Sequence, residues 1–327
     1  MTTLPRRHLA ASMLAAALFV ALPAIAQAQY PERGLKLVVG FPPGSGPDVV
    51  ARTLGQKLGE ALKQPLVVDN RAGAGGQIGA QAVAKSAPDG YTLLLGEVGS
   101  ISIAPAVYSK LPYDPAKELV AVAQVARADF VLVVPQASPA QSVADLVKSA
   151  KARNDRLNMA TFGAGTPGHF GAELLAGLAG FAVEPVHYRA TGDAVTALIA
   201  GDVQGALLST ALAAPQVKAG KMRALATTAP ARSALLPEVP TFAEAGLPKM
   251  DVSAWFAVLA PAATPPAVLD LLGREVVAAV QSAEVGPKLQ EAGFAVDPRG
   301  RAATEALLKS EAARWAQLVK AVGFRGD

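Results

Sequence analysis

The stretch Phe41-Pro42-Pro43-Gly44-Ser45-Gly46-Pro47-Asp48 lies between a short apolar run at residues 35–40 and a segment at residues 49–62. In that second segment Val50, Leu54, Leu58, Ala61 and Leu62 recur at helical spacing, so the order is strand, loop, helix. A loop with two glycines can turn its amides toward a small anion, and the helix behind it adds the partial positive charge of its first turn. Phe41, Gly44, Ser45 and Gly46 are therefore candidate ligand-binding residues. Asp48 is placed to cap the helix, with contact to an amino or hydroxyl group of a ligand as the sharper alternative. Taken alone, Gly-Ser-Gly is also what a tight strand-to-helix turn requires, and the rest of the chain has to decide.

The same grammar continues. Leu66-Val67-Val68 reads as a second strand and residues 91–95 as a third, with a helical run at 80–85 between them. The intervening Gly73-Ala74-Gly75-Gly76-Gln77-Ile78-Gly79 resembles a dinucleotide fingerprint, but its spacing is wrong and no acid-ended strand follows, so a structural turn is expected. Short connections between alternating strands and helices argue for mainly parallel sheets covered on both faces. Ligands bind such sheets at the carboxyl ends of the strands, which makes Ser100 and Ser102, just beyond the third strand, candidate hydroxyl donors. Glu97 in the same loop repels an anion unless it points away.

Residues 130–134 form another apolar strand, and a domain crossing is expected there. Strand 157–161, the loop Phe162-Gly163-Ala164-Gly165-Thr166-Pro167-Gly168 and a helix from His169 then repeat the opening unit. Two such units set two helix N-termini facing each other across a cleft, which suits an acid with a carboxylate at either end. Thr166 and His169 belong to this second loop. Arg189 and Ser209 fall at strand ends of the same half and join the candidates; a solvated charge and a turn residue are their plainer readings.

The chain has 327 residues, 51% of them apolar and 17% charged, with no cysteine. That length suits two domains with large cores. Arg6 and Arg7 precede an apolar run at residues 9–25 that ends in Ala26-Gln27-Ala28, the pattern of a secretory signal cut after about Ala28. Without residues 1–28 the formal charge falls from +4 to +2, because the segment carries two arginines and no acid. The absence of cysteine excludes a disulfide framework and a lipidation tether, so a freely diffusing periplasmic protein is expected. Basic residues are scattered singly and do not alternate with aromatics, which argues against nucleic acid as a partner. His169 and His187 belong to no metal-spaced cluster, Ser45 does not complete Gly-x-Ser-x-Gly, and no Walker motif is present. No catalytic residue, metal or cofactor is expected. A secreted hydrolase using Ser45 and a solute sensor signalling to a membrane partner are the competing functions.

Taken in order, the motifs are specific. Tyr30-Pro31, Phe41-Pro42-Pro43-Gly44, Asp69-Asn70-Arg71, Pro88-Asp89-Gly90-Tyr91-Thr92-Leu93, Leu111-Pro112-Tyr113-Asp114-Pro115, Gly165-Thr166-Pro167, Gly220-Lys221-Met222-Arg223-Ala224-Leu225-Ala226, Pro240-Thr241 and Trp255-Phe256 run through the chain. In this sequence of pieces it resembles the periplasmic solute receptors of tripartite tricarboxylate transporters, the Bug family. The resemblance implies an α/β, two-lobed periplasmic binding protein of type II that closes on an organic acid and delivers it to membrane permease subunits. It places the signal peptide at 1–28, one lobe at 29–128 with 255–327, and the other at 129–254, in a chain expected to be a monomer. The chain departs from the family pattern at Ser45 and Pro47, at Glu97 and Val98, at Arg189 and at Ser209-Thr210. Proline supplies no amide, so one donor to the anion is lost. If Glu97 faces the cleft, a cation or an amide-bearing acid becomes a conceivable ligand.

Overall fold

The computed structural model describes residues 30–153, 155–188 and 191–326. The expected export segment with its cleavage point, and Arg189, lie outside the described residues. The unit beginning at Arg33 carries every element named below.

The first lobe starts with β1 (Leu35–Val39), α1 (Gly46–Leu62), β2 (Leu66–Asn70), α2 (Gln77–Ala84) and β3 (Thr92–Glu97). Leu37, Val39 and Leu93 are fully buried, as are Val50, Leu54 and Leu58 on one face of α1. Burying each such side chain contributes about 2 kcal/mol. β1 runs parallel to β2 on one side and to β3 on the other, which puts the loops after β1 and β3 at the same edge. Two short helices, α3 (Ala104–Val107) and α4 (Pro115–Glu118), lead into β4 (Leu119–Pro135).

β4 is 17 residues long, and its length changes the picture of the crossing. The sequence marks only residues 130–134 as strand, yet Leu119 to Asp129 are also extended, paired antiparallel with β9 (Ser253–Pro261). At Phe130 the partners change. From there β4 pairs with β7 (Gly205–Ser209) and β8 (Met222–Thr227) of the second sheet. One strand thus belongs to both sheets.

The second lobe contains α5 (Val143–Ala152), β5 (Leu157–Thr161), α6 (Pro167–Ala179), β6 (Val183–His187), α7 (Thr191–Ala200), then β7, α8 (Thr210–Lys218) and β8. β5 lies parallel to β6 and β7, while β4 closes the sheet antiparallel. After β9 the chain returns to the first lobe with α9 (Pro266–Gln281), α10 (Val285–Glu291), β10 (Ala295–Arg299) and α11 (Arg301–Val322). Both sheets are therefore mixed: parallel strands flank an antiparallel inner seam made by β4 and β9, and β8 and β10 add antiparallel to β4. The helices α8 and α10 and the strand β10 carry no clear periodicity and are not legible in the sequence.

Beyond α11 the tail bridges the two halves. The Phe324 ring packs edge-on against His169, with centroids 4.7 Å apart, while the Gly326 amide donates to the Val107 carbonyl at 3.1 Å.

Candidate functional site

A cavity of about 590 Å³ lies between the carboxyl ends of β1 and β3 on one side and of β5 and β7 on the other. Phe41, Gly44, Ser45, Gly46, Thr166 and Ser209 line it. Asp48, Ser100, Ser102 and His169 do not; they are buried behind the wall. The first turns of α1 and α6 both reach the cavity, through Gly46 and Pro47 in one lobe and Pro167 in the other. Each brings the positive end of a helix dipole to the same space.

The loop after β1 is held by Asp48. Its Oδ2 accepts from the Gly44 amide and from Arg52 Nε, both at 2.9 Å, and its Oδ1 accepts from Asn70 Nδ2 at 2.9 Å. Burial pushes this carboxyl up, but the bonds from Arg52, Gly44 and Asn70 outweigh burial and leave it below the ordinary aspartate range. The Ser45 amide and hydroxyl both donate to the Pro42 carbonyl, at 3.2 and 2.6 Å. Pro47 has no amide. Among the described residues the Gly46 amide has no protein acceptor and stays available to a ligand.

The loop after β5 repeats the device with different chemistry. The Gly165 amide donates to His169 Nδ1 at 3.1 Å, the Thr166 hydroxyl donates to the Gly163 carbonyl at 2.8 Å, and Thr166 caps α6. Burial, with a smaller contribution from the neighbouring His187, lowers the His169 pKa to about 4. Its ring stacks on Phe170 at 4.8 Å and meets His187 edge-on at the same distance. The imidazole is a neutral prop for its own loop. Ser209 stands at the N-cap of α8 with no side-chain capping bond, and its neighbour Thr210 donates to the Asp129 carbonyl at 3.1 Å.

At the end of β3 the expected hydroxyls turn inward and the acid lines the cavity. The Ser100 amide donates to Glu97 Oε1 at 2.7 Å and the Gly99 amide to Oε2 at 2.6 Å. These are the first amides of a single turn at Gly99–Ile103. Glu97 is 7% exposed, and burial raises its pKa despite the two amides and Ser100. Ser102 Oγ is buried without a hydrogen-bond partner among the described residues. There, too, no group of three or more His, Cys, Asp or Glu is placed to hold a metal, and no helix is long and apolar enough to cross a membrane.

The family described as tripartite tricarboxylate transporter family receptor matches residues 50–324. The chain belongs to this receptor family. Protein BugT of Bordetella pertussis is 36% identical over 297 residues, covering 90% of this chain and 91% of BugT. Among solved structures, R. palustris Rpa4515 with adipate superposes with a TM-score of 0.83 at 33% identity, covering 90% of this chain and 99% of that one. MatC from Rhodopseudomonas palustris with bound malate gives 0.78 at 32% identity, covering 89% and 100%. The periplasmic binding protein BugD gives 0.79 at 30% identity, covering 90% and 99%.

Much of the wall of this family receptor has no signal in its sequence. Tyr108, Phe130, Phe162, Phe256 and Phe294 join Phe41 around the cavity. They come from five separate segments, and nothing local distinguishes them from core aromatics. The loop at residues 73–79, read as a structural turn, lines the cavity through Gly75 and Gln77. A hint was available there. A Cβ on Gly40 would lie 2.6 Å from Gly76 Cα, and one on Gly79 would lie 2.9 Å from Gly40 Cα, so these glycines let two loops touch.

Proposed function

We propose that this chain is the periplasmic solute receptor of a tripartite tricarboxylate-type transporter, which closes two lobes on a small organic acid and presents it to the permease subunits. The observation that carries this is the convergence of two helix N-termini, at Gly46 and Pro167, on one cavity in a member of that receptor family. Backbone amides and helix dipoles offer a carboxylate partial positive charge without a formal cation. The relatives solved with adipate and malate support a carboxylate as the ligand class. On this reading residues 1–28 are an export signal, β4 and β9 are the hinge strands between a lobe of 29–128 with 255–327 and one of 129–254, and the working form is a monomer without catalytic activity. Phe41, Gly44, Ser45, Gly46, Thr166 and Ser209 form the ligand wall, and Arg189 keeps the ligand-contact role read from its place in the sequence. Asp48, Ser100, Ser102 and His169 support that wall from behind.

Thermal melting of the mature protein against mono-, di- and tricarboxylates tests it, because a ligand that binds only the native state raises the melting temperature. A rise with at least one acid, reduced in Arg189→Ala, is expected. No response to any acid, together with turnover of simple esters that disappears in Ser45→Ala, would replace the receptor with a hydrolase.

A further inference from the structure

Apart from the Tyr108 phenol, Glu97 is the one ionisable side chain among the described residues lining the cavity; no lysine, arginine or histidine is among them. Its carboxylate is built into the wall. Each oxygen accepts one backbone amide, from Ser100 or Gly99, and the Ser100 hydroxyl adds a further contact, which leaves part of the carboxyl's accepting capacity open. Those two amides are therefore already occupied by a carboxyl group that belongs to the protein. The glycines beside it leave the carboxylate uncovered: a Cβ on Gly99 would sit 3.0 Å from both oxygens, and one on Gly76 would sit 3.4 Å from Oε1. The rest of the wall is mainly apolar, with six aromatic rings, and its polar side chains, Ser45, Gln77, Thr166 and Ser209, are uncharged.

We propose that Glu97 determines specificity here, and that the ligand is a monocarboxylate with an apolar, ring-sized body whose far end carries an N–H or O–H donor for Glu97. This rests on the carboxylate-receptor reading above. The ligand carboxylate takes the Gly46 amide at the start of α1, with the dipole of α6 opposite. The donor, an amide, hydroxyl or ammonium group, takes the open lone pairs of Glu97. A second carboxylate at that end meets the Glu97 carboxyl and binds only if the pair shares a proton. Tyr113 does not relieve this, because its hydroxyl donates to the Ser100 carbonyl at 2.6 Å. The cavity thus selects a half-amide or hydroxy acid over the matching dicarboxylate, by an element that repels as well as one that attracts.

Calorimetric titration of the mature protein at neutral pH with three matched pairs tests this: succinate and succinamate, adipate and adipamate, terephthalate and 4-carbamoylbenzoate. The half-amide of at least one pair is expected to bind about tenfold or more tighter than its dicarboxylate, and Glu97→Gln to abolish that preference. Equal or tighter binding of the dicarboxylates by the wild type overturns the proposal and leaves a carboxylate receptor standing. A preference that survives in Glu97→Gln also overturns it. Failure of every acid in the series to bind overturns the specificity proposal, and the melting screen above then decides the receptor reading. Should Glu97→Gln not fold, the wild-type ratios decide alone.

Discussion

The Gly165 amide donates to Nδ1 of His169 at 3.1 Å, a bond that requires the imidazole to be unprotonated at that nitrogen. In the other lobe Gly44 donates to Asp48 at 2.9 Å. In both cases the third residue of a helix reaches back four positions to fix the glycine loop that meets the cavity. The chemistry differs, and so does the response to pH.

His169 is 3% exposed and its pKa is lowered to about 4 from an unfolded value of 6.5. A depressed folded pKa means that the unfolded chain binds the proton first. Stability is therefore full above pH 6.5 and is lost as pH falls toward 4, by on the order of 3 kcal/mol from this residue. Urea midpoints measured between pH 7 and 4 should fall in the wild type and fall less in His169→Gln. Parallel curves for the two proteins would contradict the assignment.

Asp48 joins three segments: the loop after β1, the first turn of α1 and the end of β2. Asp48→Ala removes the acceptor of the Gly44 amide and of Arg52 Nε and one of the two acceptors of Asn70 Nδ2, and is expected to cost about 3 kcal/mol. Its lowered carboxyl pKa places the wild-type contribution above the unfolded value near 3.8, with loss as pH falls below it. Denaturant unfolding at pH 7 measures the cost, and a change under about 0.5 kcal/mol would assign the network no structural role.

Gly293 (φ +87°) packs against the start of α8, where a Cβ would lie 2.6 Å from Ala211 Cα and 2.7 Å from its nitrogen. Both obstacles are backbone, so neither yields. Gly293→Ala should hold the lobes apart at this lip. At least about tenfold weaker ligand binding is expected, with a larger radius of gyration by solution scattering. Wild-type affinity in this variant would show that the contact is incidental.

Gly40→Ala tests the contact between the loops after β1 and β2. Its Cβ would fall 2.6 Å from Gly76 Cα, and the loop at 73–76 would have to move away from the cavity. Melting temperature should drop and ligand affinity should fall with it, whereas Gly177→Ala, with nothing within 4 Å of its added carbon, should leave both unchanged.

The repeated strand, glycine loop and helix at 35–62 and 157–179 was legible because each unit is local: apolar spacing sets the helix, and glycine with proline sets the turn. The fold class and the two loops at Gly44–Gly46 and Gly163–Thr166 follow from that repetition. Ser100, Ser102 and His169 have the right residue types in the right loops, yet the structure turns them inward. Glu97 takes the Gly99 and Ser100 amides, and Gly165 takes the His169 nitrogen, as partners only a few residues away. Hydrogen bonds of that length compete with a ligand, and which side prevails depends on burial that the sequence does not carry.

By itself, then, the sequence determined the period of the helices, the places where the chain turns and the doubling of one unit, because those depend on interactions between near neighbours. Only the tertiary structure decided that β4 serves both sheets, that six aromatics from distant segments enclose one cavity, and that its acid faces inward. Each of these is set by which surfaces exclude water against one another, a property of pairs far apart along the chain.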